Sequence, residues 1–150
     1  MISPLDPTVV LKFPLQVEDG WPPVAVEALP FEPTDRGYRA LVAPLFVKDL
    51  SVGDIILATL EDDNLVDSWS HVQRSGRTTV WLLRQTKTNQ IDPALAALRA
   101  LGCNSVRLDS AGCYAIDVPE TVTIRDVDSV LNSLDSSVVA IAFPSMRHPD

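Results

Sequence analysis

Two stretches of the sequence repeat their apolar residues at helical spacing, and both lie after residue 78. In the first, Ile91, Leu95, Leu98 and Leu101 fall near one face. Asp92 is placed to cap that helix, with Pro93 at its first position and Gly102 as a left-handed stop. In the second, Ile124, Val127, Leu131 and Leu134 follow Thr123-Ile124-Arg125-Asp126, which resembles a capping box with aspartate as its acid. Around these helices run strand-like segments: Thr78–Gln85, then Ser105–Leu108 and Cys113–Val118 joined through Ser110-Ala111-Gly112, then Val138–Phe143. The order is β-α-β-β-α-β. It predicts a ferredoxin-like subdomain over residues 77–150, with a four-stranded antiparallel sheet and both helices on one face.

The first half has no helical period. Most of the twelve prolines lie there, and proline favours short strands and sharp connections over long helices. Val9–Leu15, Val24–Phe31, Tyr38–Val42, Ile55–Leu60 and Leu65–Arg74 read as strands. Turn signals separate them at Glu18–Pro23, Thr34–Gly37, Ser51–Asp54 and Glu61–Asn64. Short strands at this spacing predict a small curled sheet, barrel-like, over residues 1–76. The class expected is α+β, with the two subdomains joined in one compact unit.

Composition narrows the functional classes. The net charge is −8 and uneven: residues 1–75 hold twelve acids against five bases, residues 76–150 eight against seven. Phosphate backbones bind through lysine and arginine, so direct nucleic-acid binding is disfavoured and a basic protein partner is favoured. No run reaches the roughly 20 apolar residues that a bilayer crossing needs. Met1–Asp6 lacks the basic and apolar regions of a signal peptide, so the chain is expected in the cytoplasm, away from membranes. Cys103 and Cys113 are too few for a disulfide scaffold and read as buried, unpaired thiols.

Catalytic signatures are missing from the pattern. His71 and His148 have no cysteine or second histidine at ligand spacing, so neither a metal nor another cofactor is expected. His148 sits in a polar tail and reads as solvated, whereas His71 follows Trp69 on an expected strand. Ser75-Gly76 is a turn signal, since Arg74-Ser75-Gly76-Arg77 lacks the second glycine of a nucleophile elbow. One concentration of charge remains: six acids and no base between Asp49 and Asp67. Their spacing does not fit a calcium loop. Glu61, Asp62, Asp63 and Asp67, with Trp69 as an aromatic anchor, form a candidate docking patch for a cationic partner. The competing reading is a solvated loop.

Several fragments together carry a family resemblance. They are Lys12-Phe13-Pro14, Asp19-Gly20-Trp21-Pro22-Pro23, Glu27-Ala28-Leu29, Tyr38, Pro44-Leu45-Phe46, Gly53-Asp54, Arg74-Ser75-Gly76, Leu101-Gly102-Cys103 and Ala115-Ile116-Asp117-Val118-Pro119. The chain resembles the bacterial family catalogued as domain of unknown function 4265, over most of residues 9–143. The family often places an aromatic or histidine after Ser-Gly, where this chain has Arg77. The resemblance implies a bacterial source and a single structural unit, and it transfers no activity.

These readings converge on a non-enzymatic protein that binds another protein. Its leading form is an immunity-type inhibitor that masks a cationic toxin domain with an acidic surface. The alternatives are a regulatory or binding module acting by self-association through the second half, and an enzyme of unrecognised type.

Overall fold

The computed structural model describes residues 8–149, so the Met1–Asp6 segment lies outside the described residues. The chain divides into two compact units, one running to Ser75 and the other beginning at Gly76. The class is α+β: two antiparallel sheets and two α-helices. Among the described residues no helix is long and apolar enough to cross a membrane.

The first unit is a meander of five strands in sequence order: β1 (Val9–Pro14), β2 (Val26–Thr34), β3 (Gly37–Ala40), β4 (Ile55–Leu60) and β5 (Val66–Gln73). Lys12 on β1 bridges in parallel to Leu65 just before β5, which brings the first strand back to the last. Alternation sets the buried face. On β2, Glu27, Leu29 and Phe31 point inward while Val26 and Ala28 point out. Leu11, Phe13, Leu29, Phe31, Leu50 and Ile56 form the centre of this core. β2 runs three residues beyond the expected Phe31 and takes in Pro30 and Pro33, which pair with Val10 and Tyr38. Proline fits a strand where its missing N–H is not asked to join the ladder.

Turn chemistry places the hairpins. Asp19 and Gly20 both take positive φ, and Glu18 and Trp21 exchange two backbone hydrogen bonds across them. Between β4 and β5, Asp63 and Asn64 are consecutive left-handed residues, the conformation that short polar side chains tolerate best. A register shift between Thr59 and Leu60 leaves Asp67 as an extra residue on β5, so both Val66 and Trp69 can turn toward the core.

The second unit holds β6 (Thr78–Arg84), α1 (Ile91–Leu101), β7 (Asn104–Leu108), β8 (Cys113–Val118), α2 (Ile124–Leu131) and β9 (Val139–Ser145). Its sheet has the order β7-β8-β6-β9, with every pairing antiparallel. Val80, Leu82, Tyr114, Ile116 and Val118 share a face, and Ile91, Leu95 and Leu98 of α1 and Val127 and Leu131 of α2 pack on it. Both helices therefore cover one side of the sheet.

Neither helix start carries the side-chain cap that the sequence reading expects. Helix α1 opens two residues earlier, with Gln90 at the N-cap and no side-chain cap. Asp92 lies in the first turn, and its carboxylate instead meets Arg107 Nη1 at 3.0 Å. Pro93 stays within that turn, where a missing N–H costs nothing. Thr123 does occupy the N-cap of α2, but its hydroxyl makes no cap bond, and the helix ends at Leu131 rather than Leu134. The C-terminal stop of α1 is as read: Gly102 has φ 107°, with Gly102 N–H on Arg99 O and Cys103 N–H on Leu98 O.

Gly37 is the glycine the first sheet can least replace. Its φ is 145°, and a Cβ there would run into the carbonyl oxygen of Ile56 on the neighbouring strand. Gly37→Ala is expected to destabilise the protein by about 2–4 kcal/mol, from left-handed strain plus a backbone collision. Denaturant unfolding followed by tryptophan fluorescence measures it. A midpoint unchanged from wild type would refute this account of the β2–β3 turn.

Candidate functional site

Carboxylates in the first unit do two kinds of work, and the difference locates the candidate surface. Two of them are buried and hold backbone. Glu27, on the inward face of β2, accepts the N–H groups of Leu45, Phe46 and Val47 at 2.6, 3.0 and 3.0 Å. Asp54 is 0% exposed. Its Oδ2 accepts the N–H of Ser51 at 3.0 Å and the Nε2–H of His71 at 2.9 Å, and its Oδ1 accepts the N–H of Ser75 at 2.7 Å. The segment from Leu41 to Asp54 has no strand ladder to satisfy its amides. These two side chains supply acceptors in its place.

His71 is part of that structure. It is held between the Asp54 carboxylate and the ring of Trp69, whose centroid lies 5.2 Å away at 66°. A histidine oriented by a buried carboxylate is also the usual arrangement of a catalytic base. Here the neighbouring hydroxyl, Ser75 Oγ, donates to Val52 O at 2.7 Å, so it is directed at backbone and not at the imidazole.

The other described acids of this unit face water. Asp62 and Asp63 are exposed on a 3-10 turn, Asp62–Asn64, Glu61 is exposed at its N-cap, and Asp67 is exposed on the bulge of β5. The side chain of Asp63 is 93% exposed, with Lys12 Nζ 3.8 Å from its carboxylate. The turn is fixed rather than loose. Glu61 N–H reaches Leu65 O at 2.7 Å, and Asn64 Nδ2 reaches Val10 O at 3.2 Å. Four carboxylates are thus gathered at one end of the β4–β5 hairpin. Trp69 is partly buried: its ring packs edge-on against Phe13 at 6.0 Å, on the side of the core.

In the second unit, polar side chains also tie segments together. Arg77 forms a two-pronged pair with Asp117, Nε to Oδ1 at 2.9 Å and Nη2 to Oδ2 at 2.5 Å, and Asn104 adds a third bond. His148 corrects the reading of a solvated tail. Its Nε2–H donates to Pro119 O at 2.9 Å, and its Nδ1 accepts from the Thr78 hydroxyl at 2.6 Å. Thr78 Oγ1 in turn accepts the N–H groups of Arg147 and His148. The segment folds back on β6 because these amides find their acceptor there.

Both cysteines are free and buried. Burial pushes the Cys103 thiol up to about 11 and raises that of Cys113, so both stay protonated and unreactive. A groove of about 420 Å³ lies between α1 and α2, lined by Pro93, Ala94, Ala97, Val130 and Leu134 among others, with no titratable side chain. Among the described residues no group of three or more His, Cys, Asp or Glu is placed to hold a metal ion.

The two anchors give separate tests. Burial raises the Glu27 carboxyl above the ordinary glutamate range, and the three backbone N–H bonds only partly oppose it. A raised folded value means that Glu27 contributes stability at acid pH, fully below the unfolded value, and loses it as pH rises through the folded one. A carboxyl-carbon NMR titration should find Glu27 above the exposed glutamates, and a midpoint at or below theirs would refute it. Asp54→Ala should cost about 2–4 kcal/mol, because the Ser51 and Ser75 amides and the His71 ring would lose the carboxylate that accepts from them. Denaturant unfolding measures the loss, and one below about 1 kcal/mol would show that water replaces the carboxylate.

Comparison with known proteins bears on the whole chain. Among solved structures, one described as a novel crystal structure of a hypothetical protein from Neisseria gonorrhoeae is similar at a TM-score of 0.73 and 16% identity, covering 95% of this chain and 97% of that one. At that identity the likeness establishes a shared fold. The curated proteins contain no match. The model of the family described as domain of unknown function (DUF4265) matches residues 26–140, which span both units; Lys12-Phe13-Pro14 and Gly20-Trp21-Pro22-Pro23 lie before the matched region. By that match, the chain belongs to the DUF4265 family.

Proposed function

We propose that this protein acts without catalysis, by docking a basic protein partner on the acidic turn of its first unit. The observation that carries the reading is the division among its carboxylates. Glu27 and Asp54 are spent inside the fold, while Glu61, Asp62, Asp63 and Asp67 are exposed together on a turn held rigid by backbone bonds. A rigid surface keeps its charges in place without a further ordering cost on binding. In the form we favour, the partner is a cationic toxin domain and the chain is its immunity-type inhibitor, acting in the bacterial cytoplasm. Such an inhibitor requires charge and shape and no catalytic group.

The scaffold suits that role. In our reading the first unit is barrel-like, supported by the meander order and the bridge from Lys12 to Leu65. The second is ferredoxin-like, supported by the strand order β7-β8-β6-β9 with both helices on one face. We read the two as subdomains of one working unit, since the family match runs through both.

Clustered surface charge acts mainly on the rate of encounter. Asp62→Asn combined with Asp63→Asn is expected to slow association with a basic protein isolated from the source cell on the wild-type chain, by about threefold to tenfold at low salt. It should leave dissociation nearly unchanged and flatten the dependence on ionic strength. Surface plasmon resonance at two salt concentrations reads all three. Equal association rates for wild type and the double variant at low salt would show that the turn is only solvated.

A further inference from the structure

The second sheet has two edges, and they are protected differently. β7 at one edge carries Arg107, which is engaged with Asp92 at 3.0 Å and Asp109 at 2.8 Å. A paired charge of this kind is a usual guard on an edge strand. β9, at the other edge, has none. From Ser136 to Met146 the sequence holds no charged residue. Ile141 is 37% exposed, Phe143 39% and Met146 49%.

The register shows which backbone groups this edge presents. Leu82 stands opposite Ile141, Leu83 opposite Ala140 and Arg84 opposite Val139. Gln85 N–H bonds to Val138 O at 2.7 Å. Hydrogen-bonded pairs alternate along an antiparallel ladder, so Ala140 and Ala142 spend their backbone groups on β6, while Val138 gives β6 its C=O and donates its N–H to Asp135 O at 2.9 Å. Ile141 and Phe143 therefore turn their N–H and C=O outward, and Val139 turns out its C=O, its N–H being taken by Asp135 O at 2.9 Å. The window closes at Pro144, which has no N–H, beside a register shift in the β6–β9 ladder.

We propose that β9 pairs antiparallel with β9 of a second copy of this chain about a two-fold axis at Ile141, joining two sheets of four strands into one of eight. The occupant follows from complementarity. Read in the opposite direction about Ile141, the same segment supplies four bonds: Ile141 N–H to Ile141 O in both directions, and Phe143 N–H to Val139 O on each side, with the Phe143 carbonyls left to water because the Val139 N–H is taken by Asp135 O. The strip is uncharged on a chain of net charge −8, so a strongly charged partner strand would lose hydration here without meeting an opposite charge. A second uncharged strip loses none. Ile141 and Phe143 also gain apolar cover on pairing. This surface is separate from the acidic turn, and salt distinguishes the two. Screening relieves repulsion between two copies of net charge −8 and so strengthens self-pairing, whereas it weakens docking of a basic protein.

The test is sedimentation of the full chain over a range of concentrations. Wild type is expected at twice the 16.4 kDa chain mass, with the dimer favoured by added salt. Ile141→Lys places like charges at the axis and should return the mass to a single chain, with an unchanged circular dichroism spectrum. Hydrogen exchange on wild type gives a readout that needs no variant: the Ile141 and Phe143 amides should be protected at high concentration and exchange freely on dilution. A single-chain mass at every concentration, a dimer that persists in a folded Ile141→Lys, or fast exchange of both amides at all concentrations would each overturn the proposal.

Discussion

Burying a segment that has no ladder of its own requires an acceptor for each of its amides. In the first unit that constraint falls on the stretch between β3 and β4, which follows no strand and yet sends Val47 and Leu50 into the core. Glu27 meets it for residues 45–47, and Asp54 meets it for Ser51 and Ser75. Once these bonds are made, the loop behaves as another packed layer and the meander has a floor. His71 and Trp69 then take their places as consequences: the imidazole answers the Asp54 carboxylate, and the indole fills the space between it and Phe13. The charge of this half of the chain is therefore of two kinds, one consumed in folding and the other left for solvent or a partner.

The fragments that resembled a family turn out to bond with one another. Glu27 of Glu27-Ala28-Leu29 holds Leu45 and Phe46 of Pro44-Leu45-Phe46, and Asp54 of Gly53-Asp54 holds Ser75 of Arg74-Ser75-Gly76. Arg77, which stands where the family often has an aromatic or histidine, clamps Asp117 in Ala115-Ile116-Asp117-Val118-Pro119. These motifs serve as fastenings between segments distant in sequence. A family recognised through them is recognised by how it folds.

Much of the architecture was legible because periodicity reports local geometry. The helical stripe from Ile91 to Leu98, the stop at Gly102 and the nine strands all follow from spacing and turn residues. What was not legible depends on partners remote in sequence. Asp92 had the right position and residue type for a cap, but Arg107 claims its carboxylate from β7. His148 looked like tail because Thr78 and Pro119, its partners, lie 70 and 29 residues away. The candidate patch divides in the same way. A run of acids before a turn announces exposure, so Glu61, Asp62 and Asp63 were readable, whereas the bulge that keeps Asp67 outside and draws Trp69 inside needed the register of β4 and β5.

Every residue of β8, from Cys113 to Val118, is buried. An ordinary strand of a two-layer domain offers alternate positions to water, and those positions absorb mutation at little cost. β8 has no such positions. Each substitution there either enters the layer packed under the helices or falls at a position, such as Ala115 or Asp117, that is itself almost without exposure. Substitutions are accordingly borne better on the outer faces of the meander and the solvent sides of α1 and α2 than anywhere along β8.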